Sequence, residues 1–359
     1  MLHAILLALQ EIEEVTGLEL ELVIANPGGK EGLYYSEAKR MLEMGIKHVI
    51  GCYTSSSRKN ILPLFEKYGG LLWYPAHYEG FECSDNIIYT GTSPNHHLFP
   101  LVDYVVSNIG KTAYCVGSDY IWAWESNRVF QEAFTSRGGS LLGIRYVAID
   151  DKKIDFIINE ILDLQPSFIL NNLIGASNYH FFREFRRKCI EKGVSQAKRY
   201  PIVSCNLSEA DLKEIGLGAC DGHFSSSVYF SSINTQENNN FLKKYHNKFD
   251  ADGLPTVGAE SAYIATHMLC ASLLEKNSDE PILIKKAALN FRMKAPQGEV
   301  YLDPLTFHAY LTPRIGLSTS EAAFKVIAQT DGSVKPNPFL VGCSNERMLL
   351  ENNLELMKI

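Results

Sequence analysis

Residues 48–75 read His48-Val49-Ile50-Gly51-Cys52-Tyr53-Thr54-Ser55-Ser56-Ser57-Arg58-Lys59-Asn60-Ile61-Leu62-Pro63-Leu64-Phe65-Glu66-Lys67-Tyr68-Gly69-Gly70-Leu71-Leu72-Trp73-Tyr74-Pro75. An apolar run over His48 to Cys52 passes through a hydroxyl-rich turn into a helical period over Lys59 to Lys67. Two glycines end that period, and a second apolar run, Leu71 to Tyr74, follows. Short apolar runs separated by a helical period are the mark of a strand–helix–strand unit. Such units lay their strands parallel and cover the sheet with helices on both faces.

The rhythm extends both ways. Upstream, Leu2, Ile5, Leu6, Leu9 and Ile12 follow helical spacing, Leu18 to Ala25 alternate as a strand, and Gly32 to Met44 read as a helix. Downstream, strands are expected near 112–117, 141–147, 167–171, 201–205 and 222–229. Helices near 97–109, 124–137, 153–163 and 176–192 fill the gaps. The fold class is therefore α/β. After Ser232 the pattern changes. Residues 238–250 and 256–276 read as successive helices. Glu299 to Leu302, His308 to Gly316 and Ala322 to Gln329 read as antiparallel strands.

Composition narrows the function. The 359 residues suffice for two α/β domains. With a net charge of −7 and no basic face, the footprint of a nucleic-acid binder is missing. Arg183, Arg186, Arg187 and Lys188 form the longest basic cluster and read as a solvated helix face. No run is apolar over the ~20 residues that a membrane helix needs. Residues Met1 to Glu14 lack the basic start and small-residue cleavage site of a signal peptide. The chain as given is thus expected in the cytoplasm, and in the periplasm if its true start lies upstream. The eight cysteines are scattered without metal spacing, which reads as buried free thiols.

Enzyme signatures are poor. There is no phosphate-binding loop, nucleophile elbow or zinc-protease helix. Gly216-Leu217-Gly218 lacks the third glycine of a dinucleotide site. Tyr35 and Lys39 have no cofactor loop beside them, and His96-His97 have no further ligand at metal spacing. No catalytic residue, metal or cofactor is expected.

Four polar and aromatic clusters fall where strands end, the place where open α/β sheets collect ligands. They are Gly51 to Lys59, Trp73 to Gly80, Gly117 to Asn127 and Asn171 to Ser177. Ser55 or a neighbour caps the helix that follows, whose free N–H groups suit a carbonyl oxygen. Asp119 either caps a helix or meets an ammonium group. With no cation facing a ligand carboxylate, an aromatic box with hydroxyls and amides suits a small neutral polar solute.

These segments resemble the amide-binding branch of the type I periplasmic-binding-protein family. That branch includes the amide sensor of bacterial aliphatic amidase and the urea-binding proteins of ABC transporters. The resemblance runs from the first helix to about Phe339. It rests on Val49-Ile50-Gly51-Cys52-Tyr53 with Ser55 and Arg58-Lys59, on Tyr74-Pro75 with Tyr78-Glu79-Gly80-Phe81-Glu82, and on Asn86-Ile87-Ile88-Tyr89 with Pro94-Asn95. Further pieces are Gly117-Ser118-Asp119-Tyr120, Glu125-Ser126-Asn127, Tyr229-Phe230-Ser231-Ser232-Ile233, Ala259-Glu260-Ser261-Ala262-Tyr263 and Ala295-Pro296-Gln297-Gly298.

The resemblance implies two Rossmann-like lobes with a ligand cleft and hinge closure, and a family first strand that this chain lacks. The lobes would be 1–93 with 234–299, and 94–233 with 300–359. Crossovers would fall near Thr92–Asn95, Ser231–Asn234 and Gly298–Asp303. Tyr53, Ser55, Tyr74 and Tyr120 carry over as pocket residues. Ala76, His77 and Trp122 stand where the amide sensor has a hydroxyl residue, a proline and a second tyrosine. Ala123-Trp124 replace a proline–arginine pair. Losing the hydroxyl removes a hydrogen bond worth ~1 kcal/mol. His77 either replaces it or changes the preference. Asn172 of the fourth cluster completes the candidate site. The site residues are expected to line a cleft rather than fill a core. The role implied is a ligand sensor of amide metabolism, with a transporter's substrate-binding subunit as the alternative. Partners would be a regulatory protein or an ABC permease, and a homo-oligomer is compatible with either.

Overall fold

The structure, a computed structural model, describes residues 1–249, 253–341 and the backbone of 351–352. The first part of the chain forms α1 (Leu2–Thr16), α2 (Glu31–Glu43), β1 (His48–Ile50), α3 (Ser55–Tyr68), β2 (Leu71–Tyr74) and β3 (Ile87–Tyr89). The middle forms α4 (Pro94–Asn108), β4 (Thr112–Ser118), α5 (Ile121–Ser136), β5 (Ser140–Val147), α6 (Asp155–Leu164), β6 (Phe168–Asn172), α7 (Gly175–Glu191), α8 (Gln196–Arg199), β7 (Ile202–Ser204), α9 (Glu209–Ile215) and β8 (Phe224–Ser227). The last part forms α10 (Gln236–Phe249), α11 (Val257–Lys276), α12 (Pro281–Ala288), β9 (Arg292–Ala295), β10 (Gly298–Leu302), β11 (Ala309–Tyr310), β12 (Arg314–Ser318), β13 (Phe324–Gln329) and β14 (Glu351–Asn352).

Two compact units divide these elements. Unit 1 comprises Met1–Ser93, Asn234–Leu311 and Gly332–Phe339; unit 2 comprises Pro94–Ile233, Thr312–Asp331 and Leu340–Ile359. Residues 342–350 and 353–359 of the expected second lobe, Cys343 among them, lie outside the described residues.

Unit 1 has a parallel sheet in the order β1-β2-β3 and an antiparallel sheet in the order β11-β10-β9. Helix α3 begins with a capping box, in which the Thr54 hydroxyl accepts from Ser57 N–H and the Ser57 hydroxyl returns a bond to Thr54 N–H. Gly69, at φ 69°, ends it in the left-handed conformation that glycine adopts without strain. Helix α11 is buried on most sides through Gly258, Ala262, Ile264, Ala265, Met268 and Cys270, as expected of a helix without a polar face. It packs against α1 and α12.

Unit 2 is a sheet in the order β14-β13-β12-β8-β7-β6-β4-β5. The run from β5 to β8 is parallel, and β12 to β14 are added antiparallel. Phe130 and Phe134 of α5 join Phe168, Leu170 and Ile315 of the sheet in one apolar core. Both units are α/β, as the alternating pattern requires.

Three expectations change. Leu18 to Ala25 form no strand, and Leu20, Leu22 and Ile24 are exposed. Alternation makes a strand only where a neighbour supplies hydrogen bonds, and among the described residues β1 pairs with β2 alone. The expected strand His308 to Gly316 is two strands, β11 in unit 1 and β12 in unit 2. Pro313 lies between them and has no N–H to give a ladder. The third crossover is therefore after Leu311 rather than near Gly298–Asp303. Residues 300–311 stay in unit 1 because β10 pairs on both sides, with β9 and β11. Residues 332–339 also belong to unit 1, where Val334 bridges Leu311.

Candidate functional site

In unit 1, β1 and β2 both run out into the first two clusters. The turn after β1 is strained, with Cys52 at φ 62° although it carries a side chain. Burial pushes the Cys52 thiol up to about 12, so it is a neutral packing group at any ordinary pH. Tyr53, next in the chain, is 64% exposed. Ser55 opens α3, and the free N–H groups of its first turn are those of Ser55 and Ser56, which have no hydrogen-bond partner among the described residues.

Beneath this turn lies a buried charge network. Arg58 Nη2 donates to Glu79 Oε1 at 2.7 Å and Arg58 Nε to Glu82 Oε1 at 2.7 Å. Lys59 Nζ lies 3.4 Å from Glu79 Oε1 and 3.0 Å from Glu82 Oε2. The Ser55 hydroxyl donates to Glu79 Oε2 at 2.5 Å. The guanidinium also stands over the rings of Tyr74 and Tyr78, at 4.8 and 4.9 Å. Burial opposes the charge of Arg58, but Tyr74, Glu79 and Glu82 outweigh it and keep the group protonated. Burial likewise opposes the charge of Glu82, while Arg58 and Lys59 bring its carboxyl below the usual range.

An aromatic layer encloses the network. Tyr89 stacks on His308 with ring centres 4.0 Å apart, and Tyr78 lies 4.6 Å from Tyr89. Tyr78 donates to the Glu82 carbonyl, and Tyr89 to the Glu82 carboxylate.

The unit 1 candidates therefore have different surroundings. Tyr53 is open and Ser55 is tied to Glu79. Tyr74 and Ala76 are core residues, in contact with Leu62, Leu72 and Tyr89 in one apolar cluster. The Tyr74 hydroxyl donates to the His77 carbonyl, and burial raises its pKa. His77 is half-buried. Ala76 abuts Gly91 so closely that a Cβ at Gly91 would sit 2.0 Å from its carbonyl oxygen.

In unit 2 the strand ends carry neutral groups. Tyr120 is the N-cap residue of α5, without a side-chain cap bond, and Trp122 lies in the first turn. Their ring centres are 6.4 Å apart. Asp119 does not cap α5; its carboxylate accepts from the Trp124 indole. Asn172 Nδ2 donates to Asn127 Oδ1 at 2.8 Å, and Asn127 Nδ2 to the Tyr146 hydroxyl. Asn172 Oδ1 is buried without a hydrogen-bond partner. Asn171 donates to Asn178 and accepts from Leu173 N–H. Trp122 is buried and Tyr120 half-buried.

Sequence reasoning quoted Arg58, Glu79 and Glu82 but gave them no place in the site. The signal was there: two acidic residues three apart follow a strand, and two basic residues stand one turn into the preceding helix. Asn127 and Tyr146 were missed because the fold, rather than the spacing, brings them to Asn172.

Among the described residues no helix is long and apolar enough to cross a membrane. Solved structures similar to the chain include solute-binding proteins of transporters. One is an ABC-transporter solute-binding protein from R. palustris in complex with benzoate, 17% identical, with 93% of each chain covered and a TM-score of 0.80. A second, from Rhodopseudomonas palustris BisB5 with 3,4-dihydroxybenzoic acid, is 16% identical over 93% of each chain, with a TM-score of 0.80. The third is a branched-chain amino-acid transporter substrate-binding protein from Streptococcus pneumoniae with isoleucine. It is 17% identical over 93% of this chain and 94% of that one, with a TM-score of 0.78. At these identities the likeness is one of fold. A family model described as a periplasmic binding protein domain matches residues 1–345. The chain thus belongs to the periplasmic binding protein domain family and has its type I fold.

Proposed function

We propose that this protein is a non-catalytic receptor for a small neutral amide- or urea-like solute, acting as a ligand sensor in amide metabolism. The carrying observation is charge balance at the strand ends of unit 1. Arg58 and Lys59 face Glu79 and Glu82, so both cations are matched by carboxylates. The acceptor side of the Ser55 hydroxyl and the first-turn N–H groups of α3 remain for a solute, and the exposed Tyr53 ring lies next to them in the chain. An anion such as the benzoate bound by the R. palustris relative is favoured by an unmatched cation, and this cluster has none among its described residues, which leaves only the N–H groups of α3 to attract it.

A ligand that binds only the folded state raises its melting temperature. Acetamide, propionamide and urea should therefore stabilise the protein, and acetate, benzoate and isoleucine should not. Stabilisation by the second set alone would remove the amide reading. Hinge closure belongs to the same reading. A radius of gyration unchanged at saturation with a stabilising solute would argue against it.

A second reading, the substrate-binding subunit of an ABC transporter, is favoured by the transporter proteins among the similar structures. Gene deletion separates the two roles. Loss of amidase induction with normal uptake of labelled acetamide supports the sensor, and loss of uptake supports the transporter.

A further inference from the structure

We infer that Glu79 fixes the direction of the Ser55 hydroxyl, so that Ser55 meets a solute only as a hydrogen-bond acceptor and selects solutes that carry an N–H group. This rests on the amide reading above and sharpens it.

The geometry assigns the direction. Glu79 Oε1 takes Arg58 Nη2 at 2.7 Å and Lys59 Nζ at 3.4 Å, and Oε2 takes Ser55 Oγ at 2.5 Å. A carboxylate facing two cations offers lone pairs and no proton. The bond therefore runs from the serine O–H to the carboxylate. A hydroxyl has one proton and two lone pairs, so what remains on Ser55 is acceptor capacity. Ser55 and Glu79 are each 2% exposed, so bulk water does not compete for the bond.

The backbone beside Ser55 has the opposite character. The N–H groups of Ser55 and Ser56 are donors at the positive end of α3. Donors and one acceptor thus stand side by side in the same turn. Their chemical complement is a carbonyl next to an N–H, the arrangement of a primary amide or a urea. A ketone of the same shape answers the donors and leaves the acceptor unsatisfied.

Acetamide and acetone make the test, since they match in shape and carbonyl and differ in the N–H. In calorimetric titration the wild type should bind acetamide about tenfold or more tightly than acetone. In Glu79→Gln, Arg58 and Lys59 hold the amide oxygen, which turns the new NH2 toward Ser55. Ser55 then accepts from Gln and points its proton outward. The acetamide advantage should fall to about threefold or less. Should that variant not fold, Ser55→Ala gives the same reading by deleting the acceptor. Acetone affinity should then stay within about twofold while the acetamide advantage is lost. Equal binding of acetamide and acetone by the wild type, or an unchanged ratio in the variants, overturns the inference and leaves the amide reading standing. A wild type that binds neither acetamide nor urea removes the amide reading itself.

Discussion

Beyond the strands of unit 1, Arg58, Lys59, Glu79 and Glu82 meet as four full charges. At the end of β6 in unit 2, neutral amides pair instead, Asn172 with Asn127 and Asn171 with Asn178. Both arrangements answer the same demand, that enclosed polar groups find partners, although Arg58 Nη1 and Asn172 Oδ1 are left without one among the described residues. They differ in what breaks them. An ion pair shut away from water is costly to disrupt, since removing one partner strands the other's charge. An amide relay loses single hydrogen bonds and does not respond to pH.

Arg58→Met should give the largest effect. It leaves Glu79 and Glu82 facing only the half-exposed Lys59, and should cost about 3–5 kcal/mol in denaturant unfolding. The counterpart in unit 2, Asn127→Ala, breaks the bonds to Asn172 and Tyr146 and should cost about 2 kcal/mol. Equal losses in the two variants would erase the distinction.

Acid should separate the units differently. In unit 2, burial lowers the His223 pKa to about 4, although its bond to the Ala219 carbonyl works the other way. A group whose folded pKa lies below its unfolded value of 6.5 contributes stability above pH 6.5 that is lost as pH falls toward 4. His223 should therefore cost unit 2 about 3 kcal/mol across that window, and His223→Phe should flatten the loss. Chemical denaturation of both proteins at pH 7 and pH 4.5 decides it.

In unit 1, burial opposes the charge of Glu11, but bonds from His267, Lys244 and Tyr263 outweigh it and hold the carboxyl at about 2. Its stabilisation is present above pH 4.5 and lost as pH falls toward 2. Because Glu11 is only half-buried in this network, screening reduces the effect to about 1 kcal/mol. Glu11→Gln should be less stable than the wild type at pH 7 and indistinguishable from it at pH 2. A difference that persists at pH 2 would assign the effect to packing.

The fold was legible where pattern and partner coincide. The capping box at Thr54, the apolar runs of β2 and β4 and the left-handed Gly69 are local matters that the residues decide. The route of the chain was less legible, because nothing in His308 to Gly316 says that its two halves pair in different sheets. Leu18 to Ala25 show the converse: alternation from Leu18 to Leu22 and an apolar run to Ala25, with no partner strand among the described residues. At the site, Ser55 and Tyr74 were visible as residue types at strand ends. Their ties to Glu79 and the His77 carbonyl were not, because burial and orientation depend on which strands lie together.

The route also sets an order of events on the ribosome. Helix α1 and the β1-β2-β3 sheet leave the exit tunnel first, yet α11, which α1 packs against, follows only after all of residues 94–233. The first segment of unit 1 must wait with its apolar faces uncovered while the main body of unit 2 is synthesised. Domains tend to fold as they emerge, and long-range closures come late. The segment that is translated before unit 2 is therefore covered only after residues 94–233 have emerged, and nascent chains stalled before α11 should need a chaperone to stay soluble.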